Sequence, residues 1–283
     1  MGTVAYVNGD FVPEATASVS IFDRGFIFGE GIYEVTSVLR GRLVDNDGHL
    51  ARLKRSLGEL GMVQPIDNEA IVVAQRELIE RNGVDEGVVY LQITRGAAPR
   101  DFAYPHDAEP TLIMFTQRKA IVENPQADTG ISVITLPEIR WQRRDIKTVS
   151  LLAACMGKQA ALDAGADDAW FIENGFVTEG TSNNAYIVTP SGKLVTRNLG
   201  SEILKGVTRM AVLAVSQENG IEVEERPFSL EETRSCSEAF STSASTFVMP
   251  VVKIDDHSIG NGQPGPLTAR LRKMYIDFAL ASV

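Results

Sequence analysis

The chain is poor in the residues that mark several large classes of protein. Among 283 residues there are two cysteines, Cys155 and Cys236. They form neither a CxxC pair nor a disulfide framework, which suits a reducing cytoplasm and leaves each as a small buried hydrophobe. Histidine occurs three times, at His49, His106 and His257, and without HxH or HxxxH spacing no zinc or iron centre is expected. Basic residues are outnumbered, 27 against 37 acidic ones, for a net charge of −10. Such a surface repels a phosphate backbone, so no nucleic-acid partner is expected. Apolar runs such as LLAACM at 151–156 fall far short of the roughly 20 residues of a membrane span, and no membrane partner is expected. The opening MGTVAYVNGDFV has no basic region followed by an apolar one, and reads as a hairpin rather than a targeting segment. Low-complexity tracts are lacking, which argues against long disorder.

What is present is ordinary for a globular protein: 44% hydrophobic and 23% charged residues, over a length that suggests two domains. Asn8-Gly9 is a two-residue hairpin signal, and IYEVTSVLRGRLVDN (32–46) turns again at Arg40-Gly41. Asp47 reads as the N-cap of a helix carrying Leu50, Leu53, Leu57 and Leu60, stopped by Gly61. A second helix is expected from Asn68 to Arg81. Strands at 88–94 and 111–116 flank the loop TRGAAPRDFAYP (94–105), where Arg100 sits among aromatics. The polar, aperiodic RKAIVENPQADTG (118–130) is the expected linker. The division is then an N-terminal α/β domain at 1–118, a linker at 119–127 and a C-terminal α/β domain at 128–283. In the second half a strand (ISVITL) is followed by a helix from about Ser150 to Ala164, the strand DAWFIEN, and a hairpin turning at Ser191-Gly192. A helix then ends at Asn219-Gly220, Ser229 and Glu232 form a capping box, and Leu267, Leu271, Met274 and Phe278 line a last helix. Hairpins mixed with helices make the class α+β rather than a βαβ repeat, and there is no GxGxxG fingerprint or internal repeat.

Four stretches carry chemistry. Lys147, in EIRWQRRDIKTVS, lies between a strand and a helix. An amine near its usual pKa of about 10.4 is a poor nucleophile until neighbouring cations or desolvation lower that value. Arg143 and Arg144 precede it, and Asp145 opposes them. Glu179 stands before the Gly-Thr-Ser-Asn-Asn turn of VTEGTSNNAY, where a carboxylate can be aimed into a cleft. Gly206, Val207 and Thr208 of ILKGVTRMAVL open a helix whose free N–H groups attract an anion. STSAS (241–245) offers exposed amides and hydroxyls. Taken singly, these signals favour a structural reading over a functional one. Together they provide a lysine for a Schiff base, a carboxylate for a pyridinium and cups for a phosphate, the set that pyridoxal phosphate requires.

With these stretches assembled, the chain resembles the fold-type IV pyridoxal-phosphate transaminases, and within them the D-amino acid (D-alanine) transaminases. DRGFIFGEGIYEV, HLARL, VYLQITRGAAPR, IRWQRRDIKT, VTEGTSNNAY, ILKGVTR and the STSAS loop carry the resemblance in order along nearly the whole chain. It implies two α/β domains with the cofactor, pyridoxal 5'-phosphate, in the cleft between them, and most cofactor contacts in the C-terminal domain. It implies that Lys147 is the aldimine lysine and moves the proton between substrate Cα and cofactor C4′, and that Glu179 pairs with the pyridine nitrogen. Arg52, Val207, Thr208, Ser243 and Ala244 would bind the phosphate, and Leu204 would pack on the ring. The D-alanine enzymes have a threonine at the Ala244 position, so Ala244 can offer only its amide.

On the substrate side the resemblance implies Tyr33 beside the substrate carboxylate and Arg100 as its anchor. Phe102 occupies the place of a family histidine, which removes one donor and makes the pocket more apolar; Asp101 is a competitor for the Arg100 guanidinium. The implied activity is ping-pong transamination between a D-amino acid such as D-alanine and a 2-oxo acid such as 2-oxoglutarate, in a homodimer. An (R)-selective amine transaminase is the alternative that Phe102 allows. A branched-chain amino acid transaminase, an aminodeoxychorismate lyase and an inert cofactor-binding protein rank below it.

Overall fold

The computed structural model describes residues 2–283, which form two compact units. The first holds the chain through Ala120, together with Ile146–Ser150 and Ser282–Val283; the second holds Ile121–Asp145 and Leu151–Ala281.

In the first unit, β1 (Val4–Val7) and β2 (Asp10–Pro13) join through Asn8 and Gly9, whose φ values of 48° and 109° suit a tight hairpin that follows strand twist. A short α1 (Arg24–Phe28) leads into β3 (Gly31–Leu39), which turns at Arg40-Gly41 into β4 (Arg42–Leu43). Then come α2 (Asn46–Glu59), α3 (Asn68–Asn82), β5 (Gly87–Thr94) and β6 (Thr111–Arg118). The six strands run in the order β2-β1-β6-β5-β3-β4, every pair antiparallel. Leu50, Leu53 and Leu57 of α2 bury against Ile32, Val38 and Leu91 of the sheet and Ile71 and Leu78 of α3, each side chain contributing about 1.5–3 kcal/mol. The helix begins earlier than Asp47. Asp45 is its N-cap, at φ 52° and without a side-chain cap bond, and Asp47 lies in the first turn, where its charge suits the helix dipole.

Ile146–Ser150 belongs to this unit for a backbone reason. β4 pairs β3 only at Val38 and Leu39, so the start of β3 keeps an open edge. Tyr33 N donates to Lys147 O and Val149 N to Gly31 O, each at 3.0 Å, and Ile32 bridges Thr148. Lys147 therefore sits with residues 1–120, whereas the division expected from sequence placed it in the second half.

The second unit opens where a linker was expected. Ile121 there is fully buried, and a short α4 (Pro125–Thr129) begins at Asn124, which caps Gln126 N. There follow β7 (Ile131–Pro137), α5 (Leu152–Asp163), β8 (Asp168–Glu173), β9 (Phe176–Gly180), β10 (Asn184–Val188), β11 (Leu194–Thr196) and α6 (Val207–Glu218). The chain ends with β12 (Val223–Glu225), α7 (Leu230–Ser235), β13 (Glu238–Ser243), β14 (Phe247–Ile254), β15 (His257–Ser258) and α8 (Pro266–Ala281). The sheet order is β12-β11-β10-β13-β14-β7-β8-β9, with β15 beside β14. β7 runs parallel to both β14 and β8, and β11 parallel to β12, in an otherwise antiparallel sheet. Every residue of β10 is buried, as in a strand covered on both faces. Ser229 and Glu232 form both bonds of the capping box. The STSAS run (241–245), expected to be exposed, is partly strand: Ser241–Ser243 end β13, and Ser241 and Thr242 are buried.

Candidate active site

In the first unit, Lys147 is half-buried, with Nζ 4.2 Å from the centre of the Tyr33 ring. Tyr33 stacks on Tyr90 at 5.5 Å and Tyr90 on Phe115 at 4.7 Å, a ladder across β3, β5 and β6. The amine thus faces a π surface and has no ion pair among the described residues, which leaves it available for covalent chemistry. The two arginines before it in sequence are already matched: Arg143 pairs with Asp145, and Arg144 with Glu173 and Glu138.

Arg52 belongs to a buried triad that the sequence reading missed. On β3, Ile32, Glu34, Thr36 and Val38 share one face by the strand's twofold period, so a carboxylate stands in a core-facing row. Glu34 Oε1 accepts from Arg52 Nε at 2.8 Å and Glu34 Oε2 from Arg52 Nη2 at 2.6 Å. His49 Nδ1 lies 2.7 Å from Oε2. Burial alone would raise the Glu34 pKa, but the charge and hydrogen bonds of Arg52, with those of His49, hold it down at about 2. Burial pushes the His49 imidazole below its usual value, against the pull of Glu34. An ionised carboxylate only accepts, so His49 Nδ1 carries the proton. The signal in the sequence was His49 and Arg52, three residues apart on the leucine face of α2.

Arg100 and Phe102 lie in the loop after β5. Arg24, almost fully buried, donates Nε and Nη2 to Glu30 at 2.9 and 2.6 Å and Nη1 to Asp101 O at 2.7 Å. Arg95 reaches Glu30 at 2.7 Å and lies 3.6 Å above the Tyr104 ring. The loop is therefore tied down around Asp101, while Arg100 itself is exposed. The Arg100 guanidinium carbon is 5.5 Å from the ring centres of both Phe28 and Phe102, which are 5.6 Å apart. Asp101 does not compete for it; Oδ1 accepts from Ala103 N at 2.9 Å.

In the second unit, Glu179 at the end of β9 is 4% exposed. Oε1 accepts from Arg140 Nη1 at 2.8 Å, and Oε2 from Asn184 Nδ2 and Leu204 N, both at 3.0 Å. Burial raises its pKa, opposed chiefly by the Arg140 charge and the Leu204 amide. Leu204 O also accepts from Asn184 at 2.9 Å, so its backbone secures the carboxylate, a part that its expected packing role did not include. A Cβ on Gly206 would fall 2.1 Å from Asn184 Oδ1; only glycine lets the start of α6 come this close. Gly206 is the N-cap of α6 and no side chain caps that end, which leaves the amides of Val207 and Thr208 to meet an anion. β10 pairs with β13 so that Asn184 faces Thr242, next to Ser243. Ser243 Oγ lies 2.7 Å from Thr246 Oγ1, and Ala244 falls inside that hydroxyl-rich turn. Glu179, Leu204, the α6 N-terminus and the Ser243–Ala244 turn are thus gathered around Asn184. A dry carboxylate beside an uncapped helix end, and a lysine without a carboxylate partner, fit the requirements of pyridoxal phosphate. Arg140 and Asn184, like Glu34 and His49, were not singled out from sequence.

Comparison with solved structures identifies the architecture. The branched-chain amino acid aminotransferase of Escherichia coli superposes with a TM-score of 0.91 at 21% identity, over 99% of this chain and 95% of that one. That of Thermoproteus uzoniensis, with norvaline, gives 0.89 at 22% over 99% and 96%. The chain has the two-domain α+β fold of the fold-type IV enzymes. The family model for class IV amino-transferases matches residues 31–254. The chain is 39% identical to D-alanine aminotransferase from Bacillus licheniformis over 94% of its length and 93% of that protein. It is 35% identical to that of Staphylococcus epidermidis strain ATCC 12228 over 96% of both. It belongs to the class IV aminotransferase family, and is an aminotransferase.

Proposed function

We propose that the chain is a pyridoxal-phosphate transaminase that exchanges the amino group between a D-amino acid, such as D-alanine, and a 2-oxo acid, such as 2-oxoglutarate, by a ping-pong route. The observation that carries this reading is Glu179, a carboxylate buried with three donors where a solvated turn would have needed none. Bound pyridoxal phosphate supplies an electron-withdrawing ring that stabilises the charge left at substrate Cα when its proton departs. Glu179 holds the ring nitrogen protonated. Lys147 would hold the cofactor through its amine, and once freed that amine would move the proton at substrate Cα. Val207 and Thr208 would give backbone N–H groups to the phosphate, Ser243, Ala244 and Arg52 would also bind it, and Glu34 orients the Arg52 guanidinium. Leu204 would pack on the ring, Tyr33 would serve the substrate side, and Arg100 would bind the substrate carboxylate by paired charge-assisted hydrogen bonds.

D-alanine aminotransferases among the relatives favour the D-amino acid reading. A second reading, (R)-amine:2-oxo acid transamination, has Phe102 in its favour: a phenyl ring, 79% exposed, stands where the resemblance expects an imidazole donor. The first unit also exposes Ile21, Phe22 and Phe26, an apolar set consistent with a homodimer; Cys155, expected to be buried, is exposed while Cys236 is buried, and a free surface thiol fits a reducing cytoplasm.

Purified protein should absorb in the visible range, and Lys147→Ala should retain no cofactor after borohydride reduction and denaturation. D-alanine alone should bleach the wild-type band. Bleaching by (R)-1-phenylethylamine but not D-alanine would select the amine reading, and bleaching by L-leucine but not D-alanine would reverse the stereochemistry. A wild type that binds no cofactor would refute both.

A further inference from the structure

We propose that Arg140 is a positioning residue that keeps Glu179 ionised and thereby places the shared proton on the cofactor's ring nitrogen, with Glu138 tempering its effect. This rests on the pyridoxal-phosphate reading above and goes beyond it to a residue to which that reading gives no part.

The geometry is a buried chain of alternating charge. Arg140 Nη1 donates to Glu179 at 2.8 Å, and its Nε and Nη2 donate to the two oxygens of Glu138 at 2.9 and 2.6 Å. Glu138 continues to Arg144 at 3.3 Å, and Arg144 to Glu173 at 2.8 Å. Glu138 is also fixed by the Thr178 hydroxyl, which donates at 2.9 Å. The side chains of Glu179, Arg140 and Glu138 are 5%, 14% and 2% exposed, and Glu173, at the far end, is 28% exposed. The Phe171 ring covers Arg140 at 4.6 Å, so water does not dilute the Arg140–Glu179 attraction.

The chemistry follows from where one proton sits. A carboxylate and a pyridine nitrogen sharing a proton form either a carboxylate–pyridinium pair or a neutral acid–base pair. Burial favours the neutral pair. The donors to Glu179 from Asn184 and Leu204 are uncharged, so Arg140 is the cation that holds the charged form. Glu138 works against it, because it occupies two of the Arg140 nitrogens and adds a like charge near Glu179. Only the charged form gives the ring its full capacity to withdraw electrons.

The test uses holoenzyme reconstituted with pyridoxal phosphate isotope-labelled at the ring nitrogen, whose NMR shift distinguishes pyridinium from pyridine. At neutral pH the wild type should show pyridinium, and Arg140→Lys, which keeps the charge, should match it. Arg140→Gln, which keeps a donor but no charge, should move the proton toward Glu179 by about 10- to 1,000-fold, the effect of removing an adjacent guanidinium, with the cofactor still attached to Lys147. Should that variant fail to fold, the double variant Glu138→Gln/Arg140→Gln removes both members of that pair and should displace the signal in the same direction but by less, because the opposing Glu138 charge is gone as well. A pyridinium signal unchanged in whichever glutamine variant folds would overturn the inference and leave the proposed function standing. A wild type that takes up no cofactor would overturn both.

Discussion

Replacing Glu34 by glutamine tests the buried triad of the first unit. The substitution keeps size and shape but takes the carboxylate from the Arg52 guanidinium and from His49. The Glu34 carboxyl is held from its usual 4.5 down to about 2. At about 1.4 kcal/mol per tenfold change in proton affinity, that displacement is worth about 3 kcal/mol. Breaking a buried pair by removing one partner costs about 3–5 kcal/mol, so the two routes agree. With an m-value of about 3 kcal/mol/M, the urea midpoint should fall by about 1 M. The sign with pH is fixed: a depressed carboxyl pKa adds stability that is complete above about 4.5 and is lost as pH falls toward 2. The gap between wild type and Glu34→Gln should stay constant from about pH 8 to pH 5 and close below that. His49, which burial holds below its usual value, adds a further loss below about pH 6.5. Urea unfolding followed by circular dichroism at several pH values is the assay. A midpoint shift under about 0.3 M, or a gap that widens in acid, would refute the reasoning.

Two further outcomes are expected. Arg100→Ala should raise KM for D-alanine by about 10- to 100-fold, the worth of a charge-assisted hydrogen bond, and leave (R)-1-phenylethylamine nearly unaffected, whereas Phe102→His should raise kcat/KM for D-alanine; steady-state kinetics with both donors checks the pair. Gly157 of α5 has no room for a methyl group, since a Cβ would lie 2.7 Å from Cζ of the fully buried Phe171. Gly157→Ala should therefore cost about 1–3 kcal/mol, read by calorimetry as a Tm lower by several degrees, on the order of 2–4 °C per kcal/mol.

Local signals made much of the fold legible. Asn8-Gly9, the leucine spacing of α2, the Ser229–Glu232 capping box and the helix expected from Asn68 to Arg81 all rest on signals within a few residues, and each falls within a residue of where the structure has it. The α2 start differs from the expected Asp47 because Asp45 caps from a left-handed backbone without a side-chain cap bond, a geometry that leaves no compositional mark. The aperiodic stretch at 118–130 looked like a linker because a five-residue helix is too short to show a period.

The order of the motifs along the chain brought Lys147 and Glu179 forward, since seven stretches in sequence are a far narrower pattern than a lysine or a glutamate alone. The residues that set the state of those groups were not visible in that way. Glu34 and Arg52 are 18 residues apart, and Arg140 and Glu179 are 39 apart; no local periodicity links such pairs. The chain by itself determined most of the elements, the family and the candidates for the reactive side chains, because propensity, capping and turn chemistry operate at short range. Tertiary structure alone decided which charges are buried together, because desolvation and Coulomb attraction depend on distances set only when β3 meets α2 and when β9 meets the turn after β7.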